Sequence, residues 1–146
     1  MLAVKTHIRT IEGCLPSAIP EQILNSTEPV VLKGLVANWP LVKAGLESIN
    51  AADNYIRQFY SGEPVTAYSG EPDIKGRIFY NSDLTGFNYE SANVKLDAIL
   101  DKILHHLNND FPPTFYVGST LIDNWFPGLR VDNDIAVGDY TPLASI

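Results

Sequence analysis

The sequence predicts a single mixed α+β domain, and three observations point there. Leu96, Ile99, Leu100, Ile103, Leu104 and Leu107 recur on one face at the helical period. Short apolar runs such as Val30-Val-Leu-Lys33 and Thr114-Phe-Tyr-Val117 sit between glycine, proline and asparagine punctuation, the pattern of strands. No linker, low-complexity tract or charge block divides the 146 residues, a length that supports one sizeable core rather than two full domains.

Taken in order, Pro20-Glu-Gln-Ile-Leu-Asn25 predicts a short helix with proline in its first turn, and Glu28-Pro29 breaks the chain before a strand at 30–33. That strand is expected to be buried on both faces, to turn sharply through Gly34 and to stop at Trp39-Pro40. Ser48 or Asn50 can cap a helix in which Ala52, Tyr55, Ile56 and Phe59 share a face until Ser61-Gly62 ends it. The tetrapeptide Ser-Gly-Glu-Pro occurs at 61–64 and again at 69–72, so Val65-Thr-Ala-Tyr68 reads as a strand between two turns. Arg77–Asn81 reads as another short strand and 83–88 as a loop. The helix over 94–107 is stopped by Asn109 through Pro113. A strand over 114–120, a long polar loop and a strand starting at Leu143 complete the reading.

The net charge of −7 and a pI near 4.7 exclude a phosphate-neutralising surface, and the ten basic residues are scattered, so no nucleic-acid partner is expected. No apolar run reaches the ~18 residues of a membrane helix, and the N-terminus lacks a signal-peptide core, which makes a cytoplasmic protein the expectation. Cys14, the single cysteine, has no His, Lys or Arg within two residues and reads as inert.

Several clusters invite chemistry. Asp97, Asp101 and His105 stand at i, i+4 and i+8, a spacing that permits a metal site, but their stripe lies opposite the apolar face, where charged residues are ordinarily just solvated. Asp132–Asp139 is rich in oxygen ligands yet departs from the calcium loop, with glycine at the seventh position and no closing glutamate, and reads as a polar loop. Lys33 and Arg77 read as surface or edge charges. Trp39 reads as a core plug, whereas Trp125 is placed in a loop that can overhang a cavity mouth. By strand alternation Tyr116, Gly118 and Thr120 share a face, with Gly118 leaving room between two polar side chains. Tyr116 is either a packed core tyrosine or a neutral donor facing a ligand.

Three blocks together carry a family resemblance: Glu28-Pro-Val-Val-Leu-Lys-Gly-Leu-Val-Ala-Asn-Trp-Pro40, Gly76-Arg-Ile-Phe-Tyr-Asn-Ser-Asp-Leu-Thr-Gly-Phe-Asn88 and Phe115-Tyr-Val-Gly-Ser-Thr-Leu121. From about Pro20 onward the chain resembles the N-terminal portion of the cupin-like, jumonji-C-type oxygenases that use iron(II) and 2-oxoglutarate. The resemblance implies a double-stranded β-helix, or jelly roll, with flanking helices, whose barrel is incomplete within residues 1–146. It implies that Tyr116 and Thr120 hold 2-oxoglutarate, that Trp125 lies at the substrate rim, and that a protein or small molecule is the substrate.

The family also needs a His-x-Asp pair and a distant second His, and none of His7, His105 and His106 begins a His-x-Asp. The expectation is therefore no catalytic and no metal-ligating residue in this stretch, the iron-binding strands lying beyond Ile146. Neither iron nor 2-oxoglutarate is expected to bind tightly to this chain alone, and its open strand edges are expected to favour self-association. The alternative is a non-catalytic cupin-like module that holds a small carboxylate or a partner chain.

Overall fold

The computed structural model describes residues 7–118 and 121–137. These fall into two compact units, one holding the described residues up to Tyr55 and from Gly128 onward, the other those from Ile56 to Pro127.

In the first unit, β1 (Arg9–Glu12) and β2 (Val30–Lys33) form a two-stranded parallel sheet, with α1 (Glu21–Leu24) in the connection between them. Lys33 lies directly across from Glu12 and the two side chains pair at 3.0 Å, both largely exposed, which agrees with the surface reading of Lys33. The expectation that β2 is buried on both faces fails. Its residues alternate between half-buried and exposed, Val31 being 46% exposed, because only one strand pairs with it and one face stays open. Gly34 makes the expected turn in the left-handed region at φ +75°, which a side chain would strain.

Trp39-Pro40 does not stop the chain; it starts α2 (Pro40–Glu47), with Pro40 in the first turn. Proline has no N–H to lose there and its φ already suits the helix, so the same dipeptide that ends a strand can open a helix. Ser48 separates α2 from α3 (Ile49–Arg57) and accepts the Ala51 N–H on its Oγ at 3.0 Å, the cap anticipated from the sequence. Among the described residues of this unit, Asn133 is the buried polar one. Its side-chain oxygen accepts the Leu41 N–H at 3.0 Å, and its amide nitrogen donates to the Tyr55 hydroxyl and the Leu129 carbonyl, each at 2.9 Å. A residue read only as loop polarity thus ties α2, α3 and the 3₁₀ turn at Leu129–Val131 together.

The second unit is built on a three-stranded antiparallel sheet in the order β4–β3–β5, from β3 (Val65–Gly70), β4 (Glu90–Val94) and β5 (Thr114–Val117). β4 was not anticipated, since Glu-Ser-Ala-Asn-Val has almost no strand-forming side chains; its backbone pairing with β3 makes it a strand. Conversely, Arg77–Asn81 forms no strand. Tyr80 makes one isolated bridge to Phe87, and the arms from Phe79 to Asn88 close as a loop.

The amphipathic helix is α4 (Leu96–His105), starting two residues later than its periodicity suggests. Leu96 and Ile99 are buried with Val65 and Ala67 of β3, which makes this the core of the unit, while Ile103 and Leu107 remain 39% and 43% exposed. The Tyr60 hydroxyl accepts the Leu96 N–H at 3.0 Å and donates to the Glu63 carbonyl, so a tyrosine from another element satisfies an orphan donor of the first helical turn. The region after β5 is not all loop, for α5 (Ile122–Trp125) forms there. Thr120, the last polar loop residues and the strand expected from Leu143 lie outside the described residues. Among the described residues the sheets close no barrel, and no helix is long and apolar enough to cross a membrane.

Candidate functional site

Side-chain alternation gives the β4–β3–β5 sheet two chemically different faces. Phe115 points toward α4, where the Lys102 ammonium sits 5.7 Å from its ring centroid and His106 stacks on it at 6.1 Å. Tyr116 points the other way. Its register partner on β3 is Tyr68, and the two rings meet at 5.9 Å. Thr66 and Asn93, partners on β3 and β4, share the Tyr68 face and hydrogen-bond at 3.0 Å through Oγ1 and Oδ1.

On that open face Tyr68, Ile78, Tyr89, Tyr116 and Gly118 line a cavity of about 180 Å³. Tyr89 stands edge-on to Tyr68 at 5.3 Å. Phe87 stacks on Tyr89 at 4.9 Å and Tyr80 on Phe87 at 5.1 Å, so the aromatic wall extends into the 79–88 loop. Asparagine amides hold that loop. Asn88 accepts the Phe79 N–H at 2.8 Å and donates to the Arg77 carbonyl at 2.8 Å, and Asn81 accepts the Gly86 N–H at 3.2 Å. At the tip, the Thr85 hydroxyl at 2.7 Å and then the Thr85 N–H at 3.2 Å donate to Asp83 and hold its carboxyl below the usual range.

Gly118 has a specific task here. A Cβ at that position would come within 2.7 Å of the Tyr116 Cε1 and Cζ and closer still to its hydroxyl. The absent side chain leaves the space that the end of the phenol ring occupies, while Thr120, the other side of the expected gap, lies outside the described residues. Tyr116 remains 52% exposed beside its cavity, with its hydroxyl forming no hydrogen bond to any described residue. Trp125 does not line this cavity; its indole N–H donates to the Pro64 carbonyl at 3.0 Å. Tyr68, Tyr89 and Ile78 escaped sequence reasoning. Tyr68 shares strand parity with Thr66, but its pairing with Tyr116 spans 48 positions and no local pattern encodes it.

A sequence model of the cupin-like domain family matches residues 16–142, which is most of the chain. The chain belongs to the cupin-like domain family. No curated protein and no solved structure matches it. Against that family, the donor set of this cupin-like domain is instructive. Asp97 and Asp101 are both engaged by the Arg57 guanidinium, at 3.3 and 2.8 Å, which accounts for the carboxylate stripe on α4. His105 stands edge-on to His106, and the Asn109 amide meets the His106 ring at 3.3 Å. Asp134 of the polar loop pairs with Arg130 at 2.6 Å.

Among the described residues no three His, Cys, Asp or Glu side chains converge as a metal site. An iron centre of two histidines and one carboxylate needs ligands from a shared, dry cavity, and these side chains do not fit it.

Proposed function

We propose that this cupin-like domain supplies the cosubstrate wall of an iron(II)- and 2-oxoglutarate-dependent oxygenase of the jumonji-C type, hydroxylase or demethylase, and that these residues alone neither hold iron nor turn over. The single observation behind the reading is the Tyr116 phenol, laid over Gly118 beside Tyr68 and Tyr89 in a small aromatic cavity. A phenol is a donor to a carboxylate without carrying charge, and a cavity of about 180 Å³ is below the ~300–1,000 Å³ of drug-sized ligand sites, which suits a small acid. Tyr116 binds the distal carboxylate of 2-oxoglutarate, with Thr120 as its second polar partner. With no Lys or Arg lining the cavity, binding is weak.

A second reading keeps the cavity and drops the chemistry: a module that holds a small carboxylate or a partner chain. Nothing in the donor set separates it from a ligand wall whose metal is supplied by residues elsewhere. Anaerobic titration with iron(II) tests the first part of the proposal. The expected result is no stoichiometric uptake, whereas tight one-to-one binding that survives His105→Ala contradicts it. The edges β4 and β5 each pair on one side only among the described residues, so concentration-dependent self-association is expected on size exclusion. A monomer with one sharp thermal transition favours the binding-module reading.

A further inference from the structure

A second cavity, of about 400 Å³, opens on the α4 side of the sheet and carries both signs of charge. Glu71, just after β3, and Glu90, at the start of β4, line it together with Lys102 of α4. Phe87, Tyr89 and Phe115 supply its apolar wall. Among the described residues Lys102, Glu71 and Glu90 form no ion pair, although one cavity contains all three. The Lys102 ammonium rests instead over the Phe115 ring. Opposite charges facing one opening without pairing leave room for a ligand that carries both, and the volume falls within the ~300–1,000 Å³ of small-molecule sites. A purely cationic ligand would meet the Lys102 ammonium, and a purely anionic one would meet two carboxylates.

We propose that this cavity binds the zwitterion of an α-amino acid with an apolar side chain. The ligand ammonium faces Glu71 and Glu90, its carboxylate faces Lys102, and its side chain lies on Phe87, Tyr89 and Phe115. Charge-assisted hydrogen bonds at both ends orient it. Exposure of the three charged side chains keeps the affinity modest, with dissociation constants on the order of 1 mM. This site shares Tyr89 with the Tyr116 cavity but differs from it in chemistry, since no charged residue lines the latter.

The test is a titration of the protein followed by nuclear magnetic resonance, read at the Phe115 ring and the Lys102 side chain. Three probes share one skeleton: L-leucine, 3-methylbutylamine without the carboxylate, and 4-methylpentanoate without the ammonium. L-leucine is expected to saturate, with each truncated probe weaker by about tenfold. Lys102→Gln should erase the preference for leucine over the amine, and the Glu71→Gln, Glu90→Gln double variant its preference over the acid. Spectra unchanged away from the cavity confirm that the variants fold, and the probe series on the unaltered protein stands without them. Equal binding of the amine and leucine, equal binding of the acid and leucine, or no saturable shift at Phe115 overturns the proposal.

Discussion

The two faces of the β4–β3–β5 sheet differ in what their side chains are for. Toward α4, Val65 and Ala67 are buried, as are Leu96 and Ile99 of the α4 stripe, and substitution there removes packing. Toward the open side, Thr66, Tyr68, Asn93 and Tyr116 leave polar atoms at the surface, and Tyr116 keeps half of its area exposed. One β-strand supplies both sets because successive residues point to opposite faces. The difference teaches that stability and binding are separable here residue by residue, with even and odd positions of β3 and β5 answering to different demands.

That separation can be broken by mutation. The largest effect belongs to the covered face: Ile99→Ala removes a buried side chain and should cost about 3 kcal/mol in urea denaturation, with little effect on ligand binding once the protein is folded. Asn133→Ala, in the other compact unit, should cost about 2 kcal/mol by stranding the groups it bonds, and so calibrates what a buried polar hub contributes. Gly118→Ala should cost less than about 1 kcal/mol, because the half-exposed Tyr116 ring can swing out of its place, and should weaken carboxylate binding at the same time. It is the one substitution expected to couple the two faces' properties. An unaltered Tyr116 environment in that variant would show that the ring does not need the glycine.

The smallest effect is at Asp134. Partial burial raises its pKa, but the Arg130 hydrogen bonds, the Ile135 N–H at 2.8 Å and the Arg130 charge outweigh it, so the net value lies below the usual carboxylate range. A depressed folded-state pKa contributes stability above the unfolded value of about 4 and loses it as pH falls through the folded value. Asp134→Asn should therefore cost about 0.5 kcal/mol at pH 7, the carboxylate being nearly half exposed, and less at about pH 2. Denaturation curves at the two pH values measure it.

What was legible in the sequence followed from local signals. The α4 stripe, the Ser48 cap, the turn at Gly34 and the strands β2, β3 and β5 each rest on neighbouring residues. The failures share a non-local cause. β4 exists through its pairing with β3, α4 is capped by Tyr60 from 36 positions upstream, and Asn133 serves Leu41 across 92. Trp39-Pro40 was ambiguous, since proline ends strands and begins helices with the same φ. At the site, the shared face of Tyr116 and Gly118 was visible through strand parity, but the approach of the Tyr116 ring to Gly118 was not. Tyr68 and Tyr89 were not, because register across strands and the folding of the 79–88 loop bring them there.

The most direct test is a 2-oxoglutarate titration of the protein and of Tyr116→Phe, followed by resonance shifts at Tyr68, Ile78 and residue 116, which line only the open-face cavity. Removing one hydroxyl from an exposed ring should change stability by less than about 0.5 kcal/mol, so both proteins can be compared folded. Saturable shifts confined to the open face, weakened about tenfold in Tyr116→Phe, are the expected result. Binding unchanged by the substitution, or shifts appearing on the Phe115 side instead, would contradict the assignment of Tyr116 as the carboxylate donor.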